Sequence, residues 1–199
     1  MTLTFSYRKT TQALNYLARQ AGGHINKMRA LKLVYFADRY HLRKYGRPIT
    51  NDEYFAMNFG PVASATKDLA EGSDFRPDVE KQYASQYLDP VNRYEYSSLA
   101  PVEEKVFSQT DLESLAFAWS EFGGRDQFQL AALTHEYPEW KRHEAALTSG
   151  VNSRLKMHFD DFLEDPPAGI NPCHALNARE REARRDEIAD LREIHNLWN

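Results

Sequence analysis

Lys27-Met-Arg-Ala-Leu-Lys-Leu-Val-Tyr-Phe-Ala-Asp-Arg-Tyr-His-Leu-Arg-Lys-Tyr45, followed by Gly46-Arg47-Pro48, carries the element around which the rest of this chain is organised. No Gly or Pro interrupts it, and it ends on the Gly-x-Pro punctuation that stops a helix. The spacing predicts one helix of about five turns. At about 100° per residue, Met28, Ala30, Leu31, Val34, Tyr35, Ala37, Leu42 and Tyr45 share one broad arc, wide enough to touch several neighbours. This is the expected central helix. Arg29, Lys32, Arg39 and Arg43 form the opposite stripe around Phe36. Asp38 falls inside the apolar arc, where a carboxylate needs a cation, hydrogen-bond donors or a proton.

On its N-terminal side, Thr4 to Ala21 reads as a first helix with Tyr7, Thr11, Leu14, Leu17, Ala18 and Ala21 on one face, stopped by Gly22-Gly23. His24-Ile25-Asn26 is then a short link, with Asn26 as N-cap of the central helix. The two helices form either an antiparallel pair or a helix-turn-helix. On the C-terminal side the period changes to two. Glu53 to Phe59 alternates as a strand, which Gly60-Pro61 closes, and Val62 to Glu71 is a short helix up to Gly72. Ser73 to Asp89 reads as a surface excursion. Arg93 to Leu99 alternates again and is expected to pair with the strand at 53–59, the two lying on helices.

The second half reads as helical. Thr110 and Glu113 form a capping box before Leu112, Leu115, Ala116, Trp119 and Phe122, with Gly123-Gly124 as the stop. Asp126 and Gln129 repeat the box before Leu130, Leu133 and Tyr137, and Pro138 ends that helix. Asn152 opens another, with Leu155, Phe159, Phe162 and Leu163 inward, and Asp165-Pro166-Pro167 breaks it. After a loop, Asn177 to Trp198 is a charged helix with a narrow stripe of Ile188, Leu191, Ile194, His195 and Trp198.

Across 199 residues, 42% hydrophobic and 27% charged content is that of one ordinary globular domain with an appendage. A single Cys, Cys173, excludes an intrachain disulfide and any Cys-rich zinc site. Met1 to Ala21 has no continuous apolar run, and no stretch approaches the roughly 20 apolar residues of a membrane span, so a cytoplasmic location is expected. The net charge of −4 conceals an asymmetry: residues 27–47 carry seven Lys or Arg and one Asp. Such a basic patch is either a solvated face paired with neighbouring carboxylates or a surface for an acidic partner or nucleic acid.

The string from Leu31 through Asp38, Gly46-Arg47-Pro48 and Thr50, then Tyr54 and Phe59-Gly60-Pro61-Val62, resembles the Panacea domain, the SocA-like family of antitoxins also met as phage-associated proteins. Ser108 to Gly124 is similar to the family's second-half helix. Thr134-His135-Glu136-Tyr137-Pro138-Glu139-Trp140 is similar to its Ser-His-x-x-Pro-x-Trp segment, with Thr134 in place of the usual Ser. The resemblance covers about residues 10 to 165. It implies the antitoxin of a bacterial or phage toxin-antitoxin system, a neutralising module encoded beside many unrelated toxins. It acts mainly by direct protein binding, and in some members by delivering the toxin to a AAA+ protease. Autoregulation through DNA is a further role of antitoxins.

The residues offer little chemistry beside this. His135-Glu136 lacks the second His one turn on that a zincin needs, because Glu139 stands there and Pro138 interrupts the helix. A structural role at a helix exit, shared with Trp140, is the better reading. Asp38 with His41 has no nucleophile or oxyanion hole beside it, so Asp38 is expected to accept bonds from backbone or Tyr groups, on the following strand or at a helix N-terminus. Gly60-Pro61 is no phosphate loop. Neither catalysis nor a cofactor is expected. Two binding surfaces are: the stripe of Arg29, Lys32, Arg39 and Arg43 with Tyr54 and Phe59, and the terminal helix through Ile188, Leu191 and Trp198. The expectation is a mostly helical α+β domain over 1–170 around the helix at 27–45, with a small β element and a C-terminal helix in 171–199.

Overall fold

The computed structural model describes residues 4–197. Helix α1 (Tyr7–Gln20) leads through Gly22 and Gly23 into strand β1 (His24–Asn26) and directly into α2 (Lys27–Tyr45). The Asn26 side chain accepts from the Arg29 amide at 3.2 Å, and Gly46 closes α2 at φ 79°, a conformation that a Cβ disfavours. The central helix therefore has the bounds read from the sequence.

A hairpin of β2 (Tyr54–Met57) and β3 (Gly60–Ala63) precedes α3 (Ser64–Glu71). Gly60-Pro61 thus opens a strand rather than ending one. Pro61 lies on an edge strand, where a missing N–H is tolerated. The Asp52 carboxylate accepts from the Ala65 and Thr66 amides at 3.1 and 2.6 Å and so caps α3 from outside the helix. The segment read as a surface excursion holds α4 (Asp78–Ala84) and β4 (Leu88–Asp89), followed by β5 (Glu95–Ser98).

The helices α5 (Gln109–Phe122), α6 (Gln127–Thr134), α7 (Pro138–Lys141) and α8 (Glu144–Thr148) come next. The capping box of α5 is Ser108 with Asp111, two residues ahead of the one expected at Thr110 and Glu113. Asp126 and Gln129 form the expected box on α6. Residues 152–163 form no α-helix. They hold β6 (Leu155–Lys156) and a 3-10 turn at Phe159–Leu163, because the backbone bonds of this segment go to the hairpin: β6 pairs with β2, and the Met57–Tyr54 strand receives Met157 N–H on Tyr54 O at 2.9 Å. Helix α9 (Ala178–Leu197) completes the described chain.

The strands make two three-stranded antiparallel sheets, ordered β1-β5-β4 and β3-β2-β6. The expected pairing of 93–99 with 53–59 is replaced by β5 between β1 and β4, with Ile25 opposite Tyr96 and Leu88 opposite Ser98. Tyr96 explains the choice. It is fully buried and donates its hydroxyl to Leu14 O at 2.9 Å, which fixes β5 on α1. The mostly helical α+β class expected from the sequence is the observed one.

Helix α2 runs through the middle, against α1, α5, α6, the hairpin and the Phe159–Leu163 turn. Phe36 stacks on Phe122 with ring centroids 3.9 Å apart, while Tyr35 meets Tyr54, Tyr137 and Phe162 edge-on or tilted. Both faces of α2 are enclosed, including the one around Phe36.

Candidate functional site

The cationic stripe of α2 faces inward. Arg39 donates to Glu139 Oε1 at 2.8 Å, to Phe162 O at 2.6 Å and to Glu164 O at 2.7 Å. Arg43 donates to His174 O, Phe162 O and Asp165 Oδ1 at 2.6, 3.0 and 2.5 Å. Neither side chain is exposed. The two guanidiniums therefore pin α7 and the segment 162–174 to α2, which removes them from the expected surface. Arg29 is half-buried, 5.4 Å from the Trp119 ring, and donates to Gly123 O. Tyr54 is buried too.

Asp38 accepts from Ile49 N at 2.7 Å, Thr50 N at 3.2 Å, Thr50 Oγ1 at 2.5 Å and Tyr54 OH at 2.9 Å. Burial pushes its pKa up, and these four donors oppose that. The carboxylate thus stitches the buried Pro48-Ile49-Thr50 turn and β2 onto α2, with Tyr and backbone groups as partners. His135 stacks on Trp140 at 3.6 Å, and Trp140 Nε1 donates to Met57 O at 2.9 Å, which ties the α6–α7 corner to the hairpin. Burial, helped by the charge of Lys32, holds His135 below its ordinary pKa.

One cluster and one lone thiol invite a catalytic reading, and both are closed to solvent. His41 lies 3.0 Å from Thr110 Oγ1 and 3.2 Å from Asp111 Oδ1, and the Arg47 carbonyl accepts from its Nδ1 at 2.6 Å. The His41 and Asp111 side chains are unexposed, so no substrate atom can reach them. Burial pushes the Asp111 carboxyl up, but bonds from His41 and Lys9 win and hold it below the usual range. Cys173 is buried, and burial pushes its thiol up to about 12, far from thiolate chemistry. Among the described residues no group of three or more His, Cys, Asp or Glu is placed to hold a metal, and no helix is long and apolar enough to cross a membrane.

A groove of about 900 Å³ is open over the N-terminal half of α2. Met28, Leu31, Lys32, Met57 and Val62 line it, and Phe59, Tyr94 and Phe128 stand on it with 62%, 64% and 62% of their surface exposed. Each ring sits on a fixed turn. Phe59 precedes Gly60, at φ 92°, in the β2–β3 turn. Asn92 Oδ1 accepts from Tyr94 N at 2.7 Å and Glu95 N at 3.0 Å, and Asp126 Oδ1 accepts from Phe128 N at 2.8 Å. Lys32 lies on the floor, 1% exposed, and donates to Pro61 O at 2.7 Å. Burial lowers its pKa to about 7.

The match to known families falls on this part of the chain: the model described as antitoxin SocA-like, Panacea domain, covers residues 31–141. This chain belongs to the Panacea family of SocA-like antitoxins. No curated protein and no solved structure matches it. The Panacea match is shorter than the span from about 10 to 165 suggested by the motifs. It begins inside α2 and ends with α7, so it contains Lys32, Phe59, Tyr94, Phe128 and Trp140 and leaves α1 and α9 outside. Membership implies a cognate toxin as partner.

Of the residues expected to bind a partner whose side chains the structure describes, only Phe59 stands on this open surface, with Lys32 beneath it. Ile188 is buried against the rest of the chain. Leu191, by its side chain, and Trp198 lie outside the described residues. Sequence reasoning missed Tyr94 and Phe128. Phe128 left a usable signal: a large aromatic two residues after the Asp126 cap, off the Leu130–Leu133–Tyr137 stripe, has no core to enter.

Proposed function

We propose that this Panacea protein neutralises its toxin by direct, stoichiometric binding and that the aromatic groove is the surface that masks the toxin. The observation that carries this reading is the grouping of Phe59, Tyr94 and Phe128 around one groove within the family-matched segment. Exposed aromatic rings beside cations are the composition of interface anchors, and turns fixed by Asn92 and Asp126 spare the cost of ordering them on binding. The role needs no cofactor and no catalytic group, and we place it in the cytoplasm.

Residues 1–170 would form the neutralising domain, with 171–199 an added segment packed against it. Delivery to a AAA+ protease would add to this role through α9. A DNA-binding role is less well supported, since α2, the natural recognition helix, has its Lys32, Arg39 and Arg43 buried. The test is growth of cells expressing the product of the adjacent gene, with and without this chain, together with co-purification of the pair. Rescue with a stable complex is expected. A harmless neighbour, or rescue with no complex, overturns masking.

A further inference from the structure

The groove carries more positive charge than it balances. Lys27, Lys32, Lys67 and Arg93 line it, against two carboxylates, Glu71 and Glu95, in a chain whose overall balance is negative. Both carboxylates are engaged: Glu71 pairs with Lys67 at 2.5 Å, and Glu95 accepts from Asn92 Nδ2 at 3.2 Å. Lys27 and Lys32 are only 8% and 1% exposed, and each donates to a single backbone carbonyl, Asn92 O at 2.8 Å and Pro61 O at 2.7 Å. An ammonium has three donors, and a neutral carbonyl does not repay the loss of water around a full charge. Neither lysine lies within ion-pair distance of a carboxylate among the described residues, although the Glu71 charge acts on part-buried Lys27 from farther away. Phe59, Tyr94 and Phe128 line the same groove.

We propose that the groove takes an acidic, apolar-flanked segment of the toxin: a carboxylate settles over Lys27 and Lys32, and a neighbouring apolar side chain fills the space between Phe59 and Phe128. The proposal rests on the direct-binding reading and names the chemistry of the bound segment. A carboxylate there favours the protonated form of both lysines, so binding restores the charge that burial disfavours at Lys32, while the rings exclude water from the pair and so strengthen it. Stability and binding then pull in opposite directions at the same lysines.

The test uses the purified full chain and the adjacent-gene product, with affinity from calorimetry and melting temperature from scanning. Lys27→Met with Lys32→Met is expected to weaken binding by about tenfold or more and to flatten its salt dependence, without lowering the melting temperature. Phe59→Ala with Phe128→Ala should weaken it by about tenfold or more with the melting temperature unchanged. A photo-crosslinking residue at Tyr94 should capture the toxin, and one at Phe75, exposed and outside the groove, should not. If the wild-type complex forms but either pair loses less, or if crosslinks arise at Phe75 and not at Tyr94, the groove proposal is overturned while direct neutralisation stands. Should the wild-type chain bind no toxin at all, both fall. The crosslinks decide the matter if the lysine pair fails to fold.

Discussion

Arg39 on α2 and Glu139 on α7 meet at 2.8 Å with neither side chain exposed to solvent. Tyr35 donates its hydroxyl to the same carboxylate oxygen at 2.5 Å. Burial pushes the Glu139 carboxyl up and the Arg39 charge pulls it back. A pair of this kind adds little to stability beyond what apolar residues would give, yet removing one member strands the other.

Glu139→Ala should therefore cost about 3–5 kcal/mol, the penalty of leaving a buried guanidinium unpaired. Arg39→Met combined with Glu139→Leu should cost less than the two single changes added, by about 1 kcal/mol or more. Urea denaturation reads both. Strict additivity would mean that the pair is not coupled.

Lys32 gives the stability a pH signature. Its pKa is 10.5 when unfolded and about 7 when folded, because burial penalises the charge. Between those values the unfolded chain binds the proton and the folded chain does not, so stability rises with pH across that window. Below about 7 the full penalty is present, and above 10.5 it is gone. The slope is about 1.4 kcal/mol per pH unit for this one group. Lys32→Met should remove the slope, so that the variant gains on the wild type at pH 6 and the gain shrinks towards pH 10. Parallel denaturation midpoints across the range would refute the assignment.

Removing 174–199 should destabilise the domain rather than trim an idle tail. Arg184 donates to the Arg43 and Lys44 carbonyls at 3.2 and 2.5 Å, which satisfies acceptors at the C-terminal end of α2. His174 O accepts from Arg43, Arg181 bridges Glu164 and Asp165, and Ile188 is 3% exposed. Charged hydrogen bonds and one buried Ile together suggest a loss of about 3 kcal/mol or more. A melting temperature equal to that of the full chain would show that α9 only rests on the surface.

Much of this architecture was legible because it is local. The Asn26 cap, Gly46 and the uninterrupted apolar arc define α2 from neighbouring residues alone. The strand partners are set by residues far away in sequence, Leu14 for β5 and Leu155 for β2, and no local pattern specifies them. Residues 152–163 show the limit most clearly. Leu155, Phe159 and Phe162 fit a helical spacing, and the same residues serve a short strand and a 3-10 turn once the hairpin takes their backbone bonds. The stripe of Lys32, Arg39 and Arg43 was legible as one face of a helix but not as an inward face. Its acceptors lie at Pro61, Glu139, Phe162 and His174, and a periodic row of cations reads alike whether water or such acceptors surround it. Of the groove rings Phe59 was legible as a contact residue and Tyr94 and Phe128 were not, since their exposure follows from turns whose placement depends on the whole fold.

Gly60 links the family motif to the groove. It sits at φ 92°, where any Cβ is strained, and a Cβ there would collide with Thr134 Oγ1 and lie 3.1 Å from Lys32 Nζ. Gly22 has nearly the same φ, 91°, with nothing within 4 Å of its added Cβ. Gly22→Ala should cost only the conformational term, about 1–2 kcal/mol. Gly60→Ala should cost that and more, because buried Thr134 has no room to move and the Lys32 ammonium must leave Pro61 O. The comparison separates backbone strain from close packing. Equal losses in the two variants, read by thermal or urea denaturation, would mean that the hairpin turn yields freely. A larger loss at Gly60, accompanied by weaker toxin binding in the fraction that folds, would place the Gly-Pro motif where the structure puts it: under the floor of the groove, holding Lys32 in position.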